Sequence, residues 1–155
     1  MIKQLLSLFG GESRDEVLAG EDRLPLAVAA LLVEAALQDT DFDEEERGTV
    51  RRLLSERFHL PEAEVAQLLE EAEARARNSA QLFGFTSTVV KEWSAEQRVE
   101  LIEMLWQVAY SDGQLDPHED ALLRRVAGLL HVTDRDRSLA RRRALERLGR
   151  TDLLD

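Results

Sequence analysis

The longest apolar stretch of the chain predicts a buried helix. Glu34 is the only charged residue between Leu24 and Leu37, and the longest unbroken apolar run within that stretch, Leu26 to Val33, has eight residues. A helix that is apolar on nearly all sides belongs among other helices. A membrane-spanning helix needs about 20 apolar residues, so this run predicts a central helix of a protein without a transmembrane segment.

A second apolar helix is predicted from about Ala95 to Tyr110. Ser94 precedes it and Gln97 follows three residues later, the spacing of a capping box at a helix start. We expect the two apolar helices to pack together as the core.

Each apolar helix is followed by a segment with one apolar stripe. The stripe residues are Val50, Leu53, Leu54 and Phe58 in the first segment and Leu122, Leu123, Val126, Leu129 and Leu130 in the second. Their spacing predicts amphipathic helices. A third helix is predicted after each of two matching loops that contain His59 and His131, and a further short one over Gln81 to Trp93. The predicted fold is all-α, with six to seven helices in two pseudo-symmetric three-helix halves.

An acidic motif occurs twice, 73 residues apart. Its copies are Ala36-x-x-Asp39-x-x-x-Asp43-x-x-Glu46 and Ala109-x-x-Asp112-x-x-x-Asp116-x-x-Glu119. Similarity at a fixed distance indicates an internal duplication. The repeats are expected over about 24–78 and 95–148, within a single domain of residues 22–148.

The predicted domain is flanked by two short segments. Residues 1–21 begin with the apolar stretch Met1 to Phe9 and break at Gly10-Gly11, which predicts an N-terminal extension with a short helix. A lone helix of that length is marginal in water. The alternative is a helix that binds a partner or touches a membrane surface. Residues 149–155 are predicted to be a C-terminal tail.

Composition narrows the classes of function. The formal net charge is −11 and cysteine is absent, which excludes disulfides, thiolate ligands and a cysteine nucleophile. Residues 34–74 carry 13 acidic residues against 4 basic ones, while residues 134–150 carry 7 arginines against 3 acidic residues. A body of this charge repels polyphosphate backbones, so nucleic acid is not an expected partner. The expected location is the cytoplasm.

Helix capping explains only part of the acidic motif. Asp43 with Glu46, and Asp116 with Glu119, have capping-box spacing. Asp39 and Asp112 instead follow the C-terminal ends of apolar helices, where a negative charge opposes the helix dipole at a cost of ~0.3–1 kcal/mol. These two aspartates therefore require either a bound cation or a neighbouring arginine such as Arg51 or Arg52.

The candidate ligands are all carboxylates, which favours Ca²⁺, Mg²⁺ or Mn²⁺ over zinc or copper. Asp39-x-Asp41-x-Asp43 imitates the start of an EF-hand loop, but Glu44 stands where that loop has glycine and Val50 where it has glutamate. An EF-hand is therefore rejected. A di-iron bundle is rejected too, because it needs Glu-x-x-His on two helices and only Glu56-x-x-His59 is present.

The stretch from Ala109 to Glu119, Ala-Tyr-Ser-Asp-Gly-Gln-Leu-Asp-Pro-His-Glu, resembles the signature of the TerB (tellurite-resistance protein B) family. The resemblance spans about residues 22–148, and the first copy departs from it at Thr40. It implies a TerB-like bundle of two related halves, a link to tellurite and chemical-stress resistance, and acidic residues that bind divalent cations.

The sequence therefore predicts a non-enzymatic cytoplasmic module that binds a divalent cation and acts through an unidentified protein partner in a stress response. No catalytic residue and no organic cofactor are predicted. The predicted metal ligands are Asp39, Asp43, Glu46, Asp112, Asp116 and Glu119. Two alternatives stay open: an ion-free protein–protein adaptor that uses the arginine-rich last helix or residues 1–9, and a metal-dependent hydrolase.

Overall fold

Seven α-helices follow one another in the part of the chain that the computed structural model describes, residues 23–38, 42–76, 82–111 and 117–154. They are α1 (Arg23–Leu37), α2 (Glu44–Phe58), α3 (Glu62–Ala76), α4 (Leu82–Glu92), α5 (Ala95–Ala109), α6 (Pro117–Leu129) and α7 (Asp134–Leu148), followed by a 3₁₀ turn, η1 (Thr151–Leu153). These described residues contain no strand. The predicted all-α fold is confirmed.

The two apolar helices form the centre of the molecule. α1 is buried along its length from Leu26 to Ala36, apart from Glu34, and α5 is buried from Leu101 to Ala109. α1 packs chiefly on α3 and α5 chiefly on α7, and the two central helices also contact each other. Pairing of the first helix with the third in each half is what a duplication would produce. The pseudo-symmetry of the halves stays a prediction.

Capping residues begin the helices where the sequence predicts. Ser94 and Gln97 form a reciprocal capping box at the start of α5, with hydrogen bonds of 2.9 and 3.2 Å. The Thr133 hydroxyl accepts the Asp136 N–H at the start of α7. Proline suits the first turn because it lacks the N–H that would find no helical partner there, and Pro117 is the first residue of α6.

α4 is helical although its residues have poor helix propensity. The Thr86 hydroxyl donates to the Phe83 carbonyl and the Thr88 hydroxyl to the Gly84 carbonyl, so both polar groups are satisfied inside the helix. The helix packs along α1 and buries Leu82 and Val89. Tertiary packing therefore outweighs propensity in this segment.

Two histidines end matching helices in the left-handed conformation. His59 follows α2 with a φ of 54°, and His131 follows α6 with a φ of 61°. Their backbone N–H groups donate to the carbonyls of Ser55 and Gly128, at 2.8 and 3.2 Å. The backbone rather than the imidazole therefore forms the helix-end hydrogen bond at both positions.

Two short segments flank the helical domain. The predicted extension over residues 1–21 lies outside the described residues. Of the predicted C-terminal tail, η1 is held to the domain because the Leu153 carbonyl accepts a hydrogen bond of 2.7 Å from Arg141. Within the described ranges, every helix is too short or too polar to cross a membrane.

Candidate acidic site

The six predicted metal ligands fall into two groups. Asp43, Glu46 and Glu119 belong to the described residues, whereas Asp39, Asp112 and Asp116 lie outside them. The geometry of the first acidic turn can thus be followed from Asp43 onward. That of the second begins at Pro117, directly after Asp116.

Asp43 and Glu46 cap α2 reciprocally. The Glu46 N–H donates to Asp43 Oδ1 at 2.8 Å, and the Asp43 N–H donates to Glu46 Oε1 at 3.2 Å. The predicted capping box is confirmed. Each carboxylate commits one oxygen to the cap, so the cap does not engage Asp43 Oδ2 or Glu46 Oε2.

Both glutamates of the acidic motif are buried at the same helical position. Glu46 is the third residue of α2 and is 2% exposed, and Glu119 is the third residue of α6 and is 1% exposed. Capping does not need burial, since the Ser94–Gln97 box of α5 lies at the surface. Removing a carboxylate from water is costly unless positive charge and hydrogen bonds compensate. The burial is therefore a feature of the acidic motif beyond capping.

The arginines that follow each acidic turn bind other carboxylates. Arg51 lies 3.3 Å from Glu44, and Arg52 lies 3.4 Å from Glu56. In the second half Arg124 donates to Asp120 at 3.0 Å. These contacts run along the surfaces of α2 and α6 and not toward the capping carboxylates. They weaken the alternative in which Arg51 or Arg52 supplies the counter-charge of the first turn.

Arg47 fixes the start of α2 against α3. Its guanidinium donates two hydrogen bonds to the Glu73 carboxylate, and it lies 4.5 Å from the centre of the Phe42 ring. The hydrogen bond with Glu73 raises the pKa of Arg47 above its usual value, although burial works against this. Sequence analysis missed this pair, because neither residue belongs to a motif and the two are 26 positions apart.

Glu34 of the apolar helix α1 lies near Arg125 of α6. The sequence pattern of α1 does not predict this contact. Burial raises the pKa of the Glu34 carboxyl above its ordinary value, and the positive charge of Arg125 partly offsets that shift. The structure thus identifies an arginine as an electrostatic partner of Glu34.

The described residues do not form a metal site by themselves. Across residues 23–38, 42–76, 82–111 and 117–154, no three histidine, aspartate or glutamate side chains come together as a set that could hold an ion. A site at the acidic turns therefore needs a contribution from Asp39, Asp112 or Asp116. The donor atoms fit a hard divalent cation, since all are carboxylate oxygens and two of the carboxylates are buried.

The arginines of α7 contribute to contacts inside the molecule. Arg143 and Arg147 both donate to the buried carboxylate of Glu103 on α5. Arg141 donates to the Tyr110 hydroxyl at 2.8 Å. The arginines of α7 therefore do not all belong to a solvated basic face. Arg142 is one that is exposed.

An open groove of about 640 Å³ runs between α2, α5 and α7. Leu53, Val99 and Met104 contribute its apolar part, while Glu100 and Arg143 are among its charged residues. Arg57 and Glu100 form an ion pair of 3.1 Å within it. The groove therefore combines apolar area with charges of both signs.

Comparison with models of known families identifies a match over most of the chain. Residues 25–142 match the model of a family described as Tellurite resistance protein TerB. The matched region runs from α1 into α7 and includes both acidic turns. No curated protein and no solved structure gave a significant match.

Proposed function

Because the chain belongs to the TerB family, we propose that it is a non-enzymatic module that binds a divalent cation at its two acidic turns. We further propose that it acts through a protein partner in a chemical-stress response. The ligands would be the six carboxylates of the repeated motif, Asp39, Asp43, Glu46, Asp112, Asp116 and Glu119.

The burial of Glu46 and Glu119 carries the proposal. Two carboxylates at equivalent helix positions are almost fully removed from water, while the ordinary capping box of the same chain is exposed. A bound cation would provide the positive charge that stabilises such groups in their ionised form. It would equally compensate Asp39 and Asp112, whose charges oppose the dipoles of α1 and α5.

The proposed ion is Ca²⁺, Mg²⁺ or Mn²⁺. These ions prefer carboxylate oxygens, and Ca²⁺ in particular accepts six to eight oxygen ligands in flexible arrangements. Within the first turn, Asp43 Oδ2 and Glu46 Oε2 are the oxygens that the capping hydrogen bonds do not use. Both residues of the α2 capping box therefore carry a carboxylate oxygen of the type that these ions prefer.

Calorimetric titration of the full chain with Ca²⁺ and with Mn²⁺ tests the proposal. Glu46→Gln keeps an oxygen that can accept the Asp43 N–H but removes the charge, and Glu119→Gln is its counterpart in the second half. We expect each change to weaken ion binding at least about tenfold, because a charged ligand is lost. An Asp39→Asn/Asp112→Asn variant should lose binding altogether.

Gln97→Ala is the matched control, since it opens the exposed capping box of α5 and leaves every proposed ligand in place. It should bind the ion as the unaltered protein does. Absence of binding heat from the unaltered protein would contradict the proposal. Equal binding by the protein and all three ligand variants would contradict the assignment of the site.

The proposed partner contact uses the groove between α2, α5 and α7. Glu96 on its rim is exposed, so Glu96→Lys should alter the surface without disturbing the core. A partner purified with the protein should bind this variant less tightly, and Glu146→Lys on the exposed part of α7 is the control outside the groove. Equal loss in the two variants would indicate a non-specific charge effect.

A further inference from the structure

A second, smaller pocket lies between α6 and α7, away from the groove just described. Its volume is about 480 Å³, and Trp106 of α5 forms part of its wall. The charged and hydroxyl-bearing residues that line it are Arg124, Arg137, Arg141, Asp120 and Ser138. Neither the acidic-site proposal nor the proposed partner contact uses these residues.

The charge of this pocket is opposite to that of the chain. Among the residues that the structure describes, three guanidinium groups line it against one carboxylate, whereas the whole chain has a formal net charge of −11. Arg137 and Arg141 are also four residues apart on one face of α7, a spacing at which like charges repel. A cavity that concentrates cationic groups in this way is suited to an anion.

Arg141 is a fixed cation in this pocket. Its Nε donates to the Tyr110 hydroxyl at 2.8 Å, and its Nη2 donates to the Leu153 carbonyl at 2.7 Å. Both acceptors are neutral, so these bonds hold the guanidinium in place without cancelling its charge. The group also lies 5.7 Å from the centre of the Tyr110 ring and 6.0 Å from that of Trp106.

The other two arginines pair with carboxylates that water reaches. Arg137 is 2.8 Å from Asp134, whose side chain is 91% exposed, and Arg124 is 3.0 Å from Asp120 with its own side chain 62% exposed. Exposed ion pairs are weak because water and salt screen them. The Arg124 guanidinium can therefore turn from Asp120 toward a more highly charged ligand, whereas the Arg137 side chain is only 15% exposed and is already largely packed within the protein.

We propose that this pocket binds a small phosphate-class oxyanion. Arginine suits such a ligand because its planar fork donates paired hydrogen bonds to phosphate oxygens. Arg141 and the largely buried Arg137 are the preformed anchors, the exposed Arg124 closes on the ligand, and the Ser138 hydroxyl offers one more donor. The volume falls within the range of small-molecule pockets, so it accommodates the organic part of a phosphate ester as well as the phosphate.

Calorimetric titration in metal-stripped buffer of low ionic strength tests this pocket separately from the acidic site. Without divalent ions no cation at the acidic turns can carry phosphate with it, so the two proposals can fail independently. The probes are inorganic phosphate and phenyl phosphate, with chloride at equal ionic strength as the blank. Tighter binding of phenyl phosphate assigns the ester, equal binding assigns the free ion, and either result supports the pocket.

The variants identify the binding residues. Arg124→Gln and Arg137→Gln should each weaken phosphate binding several-fold, and Arg141→Gln at least about tenfold, because a charge-assisted hydrogen bond is lost. Since Arg141 also supports Tyr110 and Leu153, the exposed Arg124 is the test that does not depend on folding.

Arg142→Gln is the matched control, because it removes the same charge from an exposed neighbour that does not line the pocket. It should leave phosphate binding unchanged. Absence of phosphate binding by the unaltered protein would overturn the proposal. So would an equal loss in the Arg124 and Arg142 variants, since it would show a general effect of net charge.

Discussion

Arg47 holds Glu73 through two parallel hydrogen bonds, 2.6 Å from Nη1 to Oε2 and 2.7 Å from Nη2 to Oε1. The pair joins the start of α2 to α3, and it lies one residue beyond the buried Glu46. The side chains of Arg47 and Glu73 are 30% and 17% exposed, so solvent screens them only in part. This contact therefore helps to orient the start of α2, where Asp43 and Glu46, two of the six proposed ligands, lie.

Replacement of Arg47 should lower the free energy of unfolding. We expect Arg47→Met to cost about 2 kcal/mol, because the Glu73 carboxylate loses two charge-assisted hydrogen bonds. Arg47→Lys should cost about 1 kcal/mol, since an ammonium group keeps the charge but not the paired geometry. Urea unfolding followed by circular dichroism measures both changes.

The control for this pair is Arg52→Met, which breaks the exposed contact between Arg52 and Glu56 within α2. An exposed pair of that kind contributes about 0.3–0.5 kcal/mol, so this variant should unfold nearly as the unaltered protein does. Equal destabilisation by the Arg47 and Arg52 variants would show that the bidentate contact contributes no more to the free energy of unfolding than an exposed ion pair.

Glu46→Gln should reduce the stabilisation that a divalent ion gives. The variant keeps the capping acceptor and loses a charged ligand. An ion at 100 times its Kd should stabilise the unaltered protein by about 2.7 kcal/mol and the variant by less. Thermal unfolding with and without Mn²⁺ measures both quantities. Equal stabilisation of the two proteins by Mn²⁺ would contradict the assignment of Glu46 as a ligand.

Glu34 should make stability depend on pH in an unusual direction. Because its folded-state pKa is raised above the ordinary value of 4.5, the folded protein holds this proton more tightly than the unfolded chain does. Stability from this group is therefore greatest at low pH and declines as the pH rises from about 4.5 through the folded-state pKa. Glu34→Gln should remove that decline and raise stability at neutral pH.

Urea midpoints measured from pH 4.5 to 7 compare the unaltered protein with Glu34→Gln. The second repeat offers a precedent, since the buried Gln107 occupies the position that corresponds to Glu34. Arg125→Gln is the complementary variant. It removes the charge that lowers the Glu34 pKa, so stability at neutral pH should fall. A difference between protein and Glu34→Gln that does not vary with pH would contradict the assigned cause.

Local patterns explain why the helices could be predicted. The Ser94–Gln97 spacing and the apolar stretch before Leu37 depend on residues a few positions apart, and both predictions are confirmed. Even α4 was placed correctly, at Leu82–Glu92, although its propensity is low. Short-range signals of this kind survive in a single sequence because they reflect hydrogen bonds within one helix.

The contacts between helices could not be predicted, because they depend on how distant segments pack. The burial of Glu46 and Glu119 follows from the packing of α2 and α6. The sequence motif alone is equally consistent with an exposed helix cap. The same holds for Arg141, which reaches Tyr110 across 31 positions. Whether the two acidic turns share an ion stays a prediction, since Asp39 and Asp112 lie outside the described residues.

Replacement by glycine of each histidine with a left-handed backbone conformation should stabilise the protein. His59 and His131 have φ values of 54° and 61°, a conformation that costs residues other than glycine about 1–2 kcal/mol. Both side chains are exposed, so few contacts are lost on replacement. Glycine loses more entropy on folding, which returns part of the gain. The net expectation for His59→Gly or His131→Gly is an increase of about 0.5–1 kcal/mol in the free energy of unfolding.

Gly149 provides the reverse experiment at the end of α7. Its φ is 68°, and a Cβ there would meet no atom within 4 Å, so Gly149→Ala tests the backbone conformation without a steric clash. We expect a loss of about 1 kcal/mol, because alanine is strained where φ is positive. Urea unfolding of the three variants decides the matter. Destabilisation by His59→Gly or His131→Gly would mean that the imidazole makes a contribution at the helix end that exceeds the backbone strain.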